Sequence, residues 1–169
     1  MNKILLPLTA VALCFTAQQA MAATATASTP ANARAKIIAP LTVTASTTDE
    51  LNFGTMLAGE RTVTVSPAGV RSATPDKALL VEDNTEKAGK FTVTNSGSAV
   101  TGKISLPTSA TVSNETKTLD VKNFTSSPAA NTDVSFGAST EISVGASLEV
   151  KADATEGSYT GTYNITINY

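Results

Sequence analysis

The chain has 169 residues and no histidine, so neither a Ser-His-Asp nor a Cys-His catalytic arrangement is possible, and the common zinc sites lose their main ligands. Its 12 basic and 14 acidic residues give a net charge of −2 and form no long run of one sign, which excludes the concentrated basic face that nucleic-acid binding needs. We therefore expect a protein that is not an enzyme, needs no cofactor or metal, and does not bind nucleic acid.

The first 22 residues have the layout of a secretory signal peptide. Lys3 precedes the apolar stretch Ile4–Ala17, and small residues lead up to a cleavage site between Ala22 and Ala23. We predict that the chain is exported and loses residues 1–22. Because Cys14, the only cysteine, leaves with them, the mature chain is expected to fold without disulfides. No later stretch approaches the roughly 20 apolar residues of a membrane-spanning helix, so no span is expected after signal removal.

Residues 23–35 are predicted to form an N-terminal arm, because small and polar residues interrupted by Pro30 can bury little area. From Lys36 the pattern becomes that of a strand, the first element of a predicted domain of residues 36–169. Apolar and polar residues alternate as far as Ala45, and Pro40 indicates an edge or a bulge. The arm is a candidate donor segment, and the apolar face of the candidate donor or first strand consists of Ala35, Ile37, Ala39, Leu41 and Val43.

Short alternating segments then recur between turn residues, which is the pattern of an immunoglobulin-like β-sandwich of about eight to ten strands. The segment Ser66–Gly89 is less regular and is predicted to be a long loop holding one short apolar piece, Ala78–Val81. No stretch has a helical period, so the predicted fold class is all-β. The predicted strands are Leu51–Gly54, Arg61–Ser66, Lys90–Asn95, Lys103–Leu106, Ala110–Ser113, Lys117–Thr125, Val134–Phe136, Glu141–Val144, Leu148–Ala152 and Tyr159–Asn168.

The last predicted strand has the sharpest alternation. Its apolar face consists of Tyr159, Gly161, Tyr163, Ile165, Ile167 and Tyr169, and its other face is polar throughout. A sandwich strand with such a face normally lies deep in the core, with a hydrogen-bonded neighbour on each side. We expect one of these neighbours to be either Lys36–Ala45 of the same chain or a strand from another molecule.

Four segments carry a resemblance to known proteins: Leu51–Thr55 (LNFGT), Thr62–Arg71, Asn123–Thr125 and Gly157–Tyr163 (GSYTGTY). Through them the chain resembles a group of secreted bacterial domains of unknown function, found mostly in Gram-negative species, over nearly all of the mature protein. Those domains in turn resemble archaic chaperone–usher pilins of the spore-coat-U type, which share an L-N-F-G segment and a similar closing strand. The chain departs from many such pilins in lacking their cysteine pair.

Chaperone–usher pilins are immunoglobulin-like sandwiches that lack their last strand, and the N-terminal extension of the next subunit fills the gap. The resemblance therefore implies a structural subunit of a fimbrium, a bacterial surface fibre assembled by donor-strand exchange. The implied partners are identical subunits, a periplasmic chaperone and an outer-membrane usher. The implied route leads through the periplasm to the cell surface or the extracellular space. The alternative is a complete, self-contained secreted sandwich that works as an adhesin-like binding module.

Overall fold

The structure, a computed structural model, describes residues 27–75 and 79–169. The predicted signal peptide and its cleavage site between Ala22 and Ala23 lie outside the described residues. Residues Lys36–Tyr169 form one compact unit. Ahead of this unit, residues 27–35 are exposed and belong to no regular element.

Ten β-strands and no helix make up the regular secondary structure of the described residues. They are β1 (Leu41–Ala45), β2 (Arg61–Val65), β3 (Arg71–Thr74), β4 (Gly89–Asn95), β5 (Val100–Ser105), β6 (Ser109–Ser113), β7 (Thr118–Ser127), β8 (Asp133–Phe136), β9 (Ser139–Val150) and β10 (Thr166–Asn168).

The strands follow from the alternation of β-branched and smaller side chains. In β2, Arg61, Val63 and Val65 are buried, while Thr62 and Thr64 are only half-buried. One side chain in two therefore enters the interior, as the pleat of a strand requires. Branched valine and threonine favour this extended backbone because their side chains pack well on a pleated surface. The residues that predict the strand are thus the same residues that form its buried face.

The strands form two antiparallel sheets. In the larger, seven-stranded sheet the hydrogen-bonded order is β1-β4-β9-β2-β3, and β7 with its partner β6 lies on the other edge of β9. The smaller sheet has the order β10-β5-β8. This architecture confirms the predicted all-β sandwich.

Strand β9 organises the larger sheet. One of its edges pairs with β4 over Ser139–Val144 and then with β2 over Ala146–Val150, while its other edge pairs with β7. Gly145 lies at the change of partner, where a Cβ atom would overlap the backbone oxygen of Val65. Because glycine permits this close approach, one strand can serve two successive neighbours on the same edge.

Buried apolar side chains form two clusters, and β9 contributes to both. Phe124 packs against both clusters, so the interior is continuous along the sandwich. The first cluster consists of Phe53, Val63, Val65, Leu119, Val121, Ala146, Leu148 and Val150. The second consists of Val93, Ile104, Phe136, Ile142 and Val144.

Two groups of predicted strands differ from the observed ones. The predicted segments Glu141–Val144 and Leu148–Ala152 are parts of the single strand β9, since β7 continues to pair with it on both sides of Gly145. The predicted strand Leu51–Gly54 is wrong in extent, because it contributes only one bridge, from Asn52 to Lys87.

Arg71 holds together much of the region that the sequence pattern predicts as a long loop. Its buried guanidinium donates hydrogen bonds to the backbone oxygens of Phe53 and Thr55, both at 3.2 Å, and of Val81, at 2.6 Å. It also lies 3.7 Å from the carboxylate of Glu86. We call Arg71 with segments 53–57 and 79–86 the arginine-centred loops. The predicted loop also contains a regular strand, β3, which the pattern missed.

Candidate functional site

The closing segment, Tyr159–Tyr169, is hydrogen-bonded along one edge only. Thr160 exchanges two backbone hydrogen bonds with Ser113, of 2.8 and 3.0 Å, and β10 pairs with Lys103–Ser105 of β5. Both partners lie on the same edge, because β5 and β6 follow each other in the chain and the closing segment runs antiparallel to both. On the other edge, no strand in the described part of the chain pairs with it. The expected neighbour is therefore present on one side only.

The alternation predicted for the closing segment is present, but its burial is shallow. The expectation of a strand deep in the core is wrong, and only Thr166–Asn168 forms a regular strand. A side chain on a sheet edge is covered from one side, so it keeps part of its surface in water. Of the predicted apolar face, Tyr159, Tyr163, Ile165 and Ile167 are half-buried, whereas Gly161 and Tyr169 are exposed, as are all the intervening polar residues.

Strand β1 is an edge of the larger sheet. It pairs with β4 from Leu41 opposite Asn95 to Ala45 opposite Phe91. Its other edge has no strand partner within residues 27–75 and 79–169. The predicted strand Lys36–Ala45 thus starts late, at Leu41, directly after a proline that has no N–H for a ladder.

The five residues predicted for the donor or first strand fall into two groups. Leu41 and Val43 belong to β1, where Leu41 is half-buried and Val43 is 40% exposed. Ala35, Ile37 and Ala39 precede β1, and Ile37 is 95% exposed. The structure therefore does not bring the five residues onto one buried face.

Strand β1 and the closing segment border one groove. The amide of Leu41 donates a hydrogen bond of 3.4 Å to Oη of Tyr169, so β1 touches the closing segment through a side chain and not through a strand ladder. Farther along, Ala45 and Tyr163 line one cavity of about 270 Å³. Its other apolar lining residues are Leu51, Phe53, Phe91, Ala110, Val112, Val121 and Phe124, and its polar ones are Ser46, Asp49, Glu50, Lys90, Thr111 and Thr162.

Tyr163 forms an aromatic wall of this groove. Its ring packs edge-to-face on Phe91, with centroids 5.7 Å apart, and lies tilted against Phe124 at 5.2 Å. Gly89 leaves room for the hydroxyl, because a Cβ atom there would overlap the Tyr163 oxygen. Burial raises the pKa of Tyr163 to about 12. Three aromatic rings from β4, β7 and the closing segment therefore meet at the groove.

Both edges of the groove lack the features that usually protect sheet edges. Leu41–Thr48 and Gly157–Tyr169 contain no charged residue and no proline. Proteins commonly place charges, prolines or bulges on open edges, because unpaired backbone groups can recruit another strand. The edge strand β8, in contrast, begins with Asp133, whose carboxylate lies 3.6 Å from the ammonium of Lys103. The two edges at the groove are thus chemically suited to accept a strand.

The groove can bind a ligand through backbone hydrogen bonds and apolar contacts.

Within the described ranges, no three His, Cys, Asp or Glu residues are grouped so that they could hold a metal ion. In the same residues, no helix is long and apolar enough to cross a membrane.

The sequence pattern identified one wall of the groove and missed the opposite lining. Three of the four phenylalanines that follow the predicted signal peptide, Phe53, Phe91 and Phe124, line the cavity, and the fourth, Phe136, is fully buried. The scarcity of aromatic residues was a usable signal. In a chain with five phenylalanines and three tyrosines, each large ring marks a place where much apolar area gathers.

The fold and the groove define the class of protein: a two-sheet β-sandwich with two unpaired edges beside one apolar cavity. The family described as Domain of unknown function (DUF4402) matches residues 41–169. The chain belongs to this family, and the match begins at the first residue of β1 and includes all ten strands. No curated protein and no solved structure matches it. The resemblance to a domain family of unknown function is thereby confirmed, and the likeness to chaperone–usher pilins stays a prediction.

Proposed function

We propose that this protein is a structural subunit of a bacterial surface fibre, and that its groove receives an extended strand from a neighbouring copy. The observation that carries the proposal is the pair of unpaired edges, β1 and the closing segment, beside one apolar cavity. A strand placed there finds backbone donors and acceptors on both sides, which is the basis of β-augmentation. In this proposal the sandwich becomes complete only in the fibre.

The segment ahead of β1 is the proposed donor. Its described residues, 27–39, belong to no strand, and nearly all of them are exposed. Ile37 is the most exposed large apolar residue of the described chain, at 95%. Isoleucine is among the residue types most often buried in proteins, so this exposure supports a partner that covers it.

Filling the groove would supply a large part of the stability of the domain. Burying Ile37 at about 1.5–3 kcal/mol and the methyl groups of Ala33, Ala35 and Ala39 at about 0.8 kcal/mol each gives roughly 4–5 kcal/mol, as an upper estimate. The whole free energy of unfolding of a typical domain is about 5–15 kcal/mol. The proposal therefore includes a periplasmic chaperone that covers the groove before assembly and an outer-membrane usher that receives the subunit.

Removing and relocating the arm tests this proposal. The full chain, exported from a Gram-negative host with its own leader, is expected to form SDS-resistant ladders on gels. Deletion of residues 24–39 should abolish the ladders without stopping export. Moving the same segment behind Tyr169 on a flexible linker should give a monomer that melts at least about 10 °C above the arm-deleted chain. Unchanged ladders after the deletion would contradict the proposal.

A self-contained secreted binding module is the second candidate function. The observation that favours it lies at the arginine-centred loops, where Arg71 fixes the backbone and Leu57, Val70 and Val81 are 54%, 65% and 38% exposed. Rigid loops that present apolar side chains suit ligand recognition. A monomeric full chain, with a cooperative melt that neither deletion nor relocation of the arm changes, would favour this candidate over the fibre subunit.

A further inference from the structure

The pairing of β1 limits which residues can enter the groove of another copy. All five residues of β1 are in register with β4, from Leu41 opposite Asn95 to Ala45 opposite Phe91. A segment that leaves its own sandwich must therefore end before β1. The segment that remains, up to Pro40, contains only two large aliphatic residues among its described positions, Ile37 and Ile38.

The charges of this segment decide which of its two faces can be buried. In an extended chain, successive side chains point to opposite sides. Arg34 and Lys36 therefore share a side with Ile38, and Ile37 shares the other side with alanines 33, 35 and 39. The rings of Phe91, Phe124 and Tyr163 offer no carboxylate, and burying an ammonium or a guanidinium against them is strongly unfavourable. The alanine and Ile37 side must consequently face the groove.

Ile37 is the only residue of that side with a large side chain. The groove offers it a cavity of about 270 Å³ beside the rings of Phe91, Phe124 and Tyr163. An apolar cavity of about 150 Å³ already admits benzene, so this one has room for an isoleucine side chain. The alanines on either side of Ile37 allow the backbone to come close to the groove edges.

The charged residues of the groove limit how the basic residues of the segment can be paired. Arg34 and Lys36 are the only charged residues between Ala23 and Thr48. Two carboxylates line the cavity: Glu50 is exposed, and Asp49 lies 3.5 Å from the ammonium of Lys87. Lys90 also lines the cavity, and its ammonium is 3.3 Å from the carboxylate of Glu141. Since Asp49 and Lys90 each have an ion-pair partner, the exposed Glu50 is the lining carboxylate that is available to Arg34 or Lys36 of the donor.

We propose that Ile37 of one copy is the anchoring side chain of the assembly, seated in the cavity beside Phe91, Phe124 and Tyr163 of the next copy, with Ile38 facing outward. This inference rests on the proposed function, because it names the residue by which the donor strand binds. Leu41 lies four positions after Ile37, a span of at most about 13–14 Å. Neighbouring sandwiches are therefore held close together, with Pro40 in the connection.

Matched substitutions of the two isoleucines test the anchor. Ile37→Asp in the exported full chain should reduce the SDS-resistant ladder by about tenfold or more, because a carboxylate replaces the buried side chain. Ile38→Asp adds the same charge one residue away and should leave the ladder within about twofold of the unchanged chain. Neither residue belongs to a strand, so both variants should be exported in equal amounts, which immunoblotting of the monomer checks.

The outcomes separate this inference from the function on which it rests. Equal effects of the two substitutions, or a larger effect of Ile38→Asp, would overturn the anchor while the fibre proposal stands, provided that deletion of residues 24–39 still abolishes the ladder. Unchanged ladders after that deletion would overturn both. Ile37→Val, which retains an apolar branched side chain, should restore most of the ladder that Ile37→Asp loses; failure of this rescue would also count against the anchor.

Discussion

The arginine-centred loops and the groove differ in how their backbone groups are hydrogen-bonded. In the loops, the guanidinium of Arg71 donates to the oxygens of Phe53, Thr55 and Val81. The oxygens of Thr55 and Val81 also accept backbone hydrogen bonds, from the amides of Val81 and Asp83, so Arg71 adds to a short backbone pairing and supplies the donor for Phe53. At the groove, β1 and the closing segment have extended backbones and alternating side chains, yet each is paired along one edge only. The irregular loops are held together by hydrogen bonds within the domain, and the two groove edges each have one open side.

This contrast shows that regular secondary structure is not a measure of how finished a region is. A single buried side chain with several donors can close a loop because it reaches carbonyls that are distant in sequence. The open edge of a strand is paired along its length only by another strand, and no side chain in the described part of the groove does this over the length of β1. The loops should therefore depend on one residue, and the groove on a partner.

The largest effect is expected from removing the residue that completes the loops. Arg71→Met should lower the free energy of unfolding by about 3–5 kcal/mol, because the Phe53 carbonyl and Glu86 lose their buried partner and the carbonyls of Thr55 and Val81 each lose one of two hydrogen bonds. Urea unfolding of the monomer that carries its arm behind Tyr169 measures this change. Lys103→Met is the control, since its exposed ion pair is worth below about 1 kcal/mol. A loss under about 1 kcal/mol for Arg71→Met would contradict the expectation that the loops depend on this one residue.

A smaller effect is expected from disturbing the groove wall. Gly89→Ala places a Cβ atom on the Tyr163 hydroxyl and should push the ring away from Phe91, at about 1–3 kcal/mol. In the full chain the same substitution should weaken the ladder. Gly137→Ala is the matched control, because apart from its two chain neighbours no residue has an atom within 4 Å of the added Cβ. Similar unfolding curves for the two alanine variants would show that the position of Tyr163 does not matter.

The smallest effects separate the two regions by pH. Hydrogen bonds from Thr55 and Thr85 lower the pKa of Asp83 to about 2, so its contribution to the loops is present above pH 4 and lost as the pH falls towards 2. Burial raises the pKa of Tyr163 to about 12, so its contribution is present below pH 10 and lost as the pH rises towards 12. Urea unfolding at both extremes measures these changes in stability.

Two single variants give the pH experiment its controls. Asp83→Asn should flatten the acid limb of the stability curve and leave the alkaline limb unchanged. Tyr163→Phe should do the reverse, and absorbance of tyrosinate near 295 nm should show one fewer late-titrating phenol. If either variant changes both limbs, the two regions are not independent in stability.

The sequence predicted the elements of this fold better than their partners. Alternation in segments such as Thr62–Val65 predicts a strand, because successive residues of a strand alternate between its buried and its exposed side. The role of Arg71 has no such signature, since its acceptors lie ten to eighteen positions away along the chain. The closing segment shows the same limit, because its pattern predicted which side chains turn inward but not that its second edge is open.

The candidate site was predictable in part for the same physical reason. Tyr163 was identified from the alternation of the closing segment. Phe53, Phe91 and Phe124 come from separate elements, and only the sheet topology brings them to one cavity. A local sequence pattern predicts the side of a strand to which a side chain points. It does not predict how close that side chain lies to a residue seventy positions away.

The two groove edges lie side by side along one axis, and this has a mechanical consequence for the proposed fibre. Leu41 lies near Tyr169 and Ala45 lines the same cavity as Tyr163, so the two edges run in opposite chain directions along one axis. A strand bound between them would lie along that axis, and tension on a fibre would slide it lengthwise. All its hydrogen bonds would then bear the load together instead of opening one after another. The orientation of the edges thus favours a filament that resists pulling by shear.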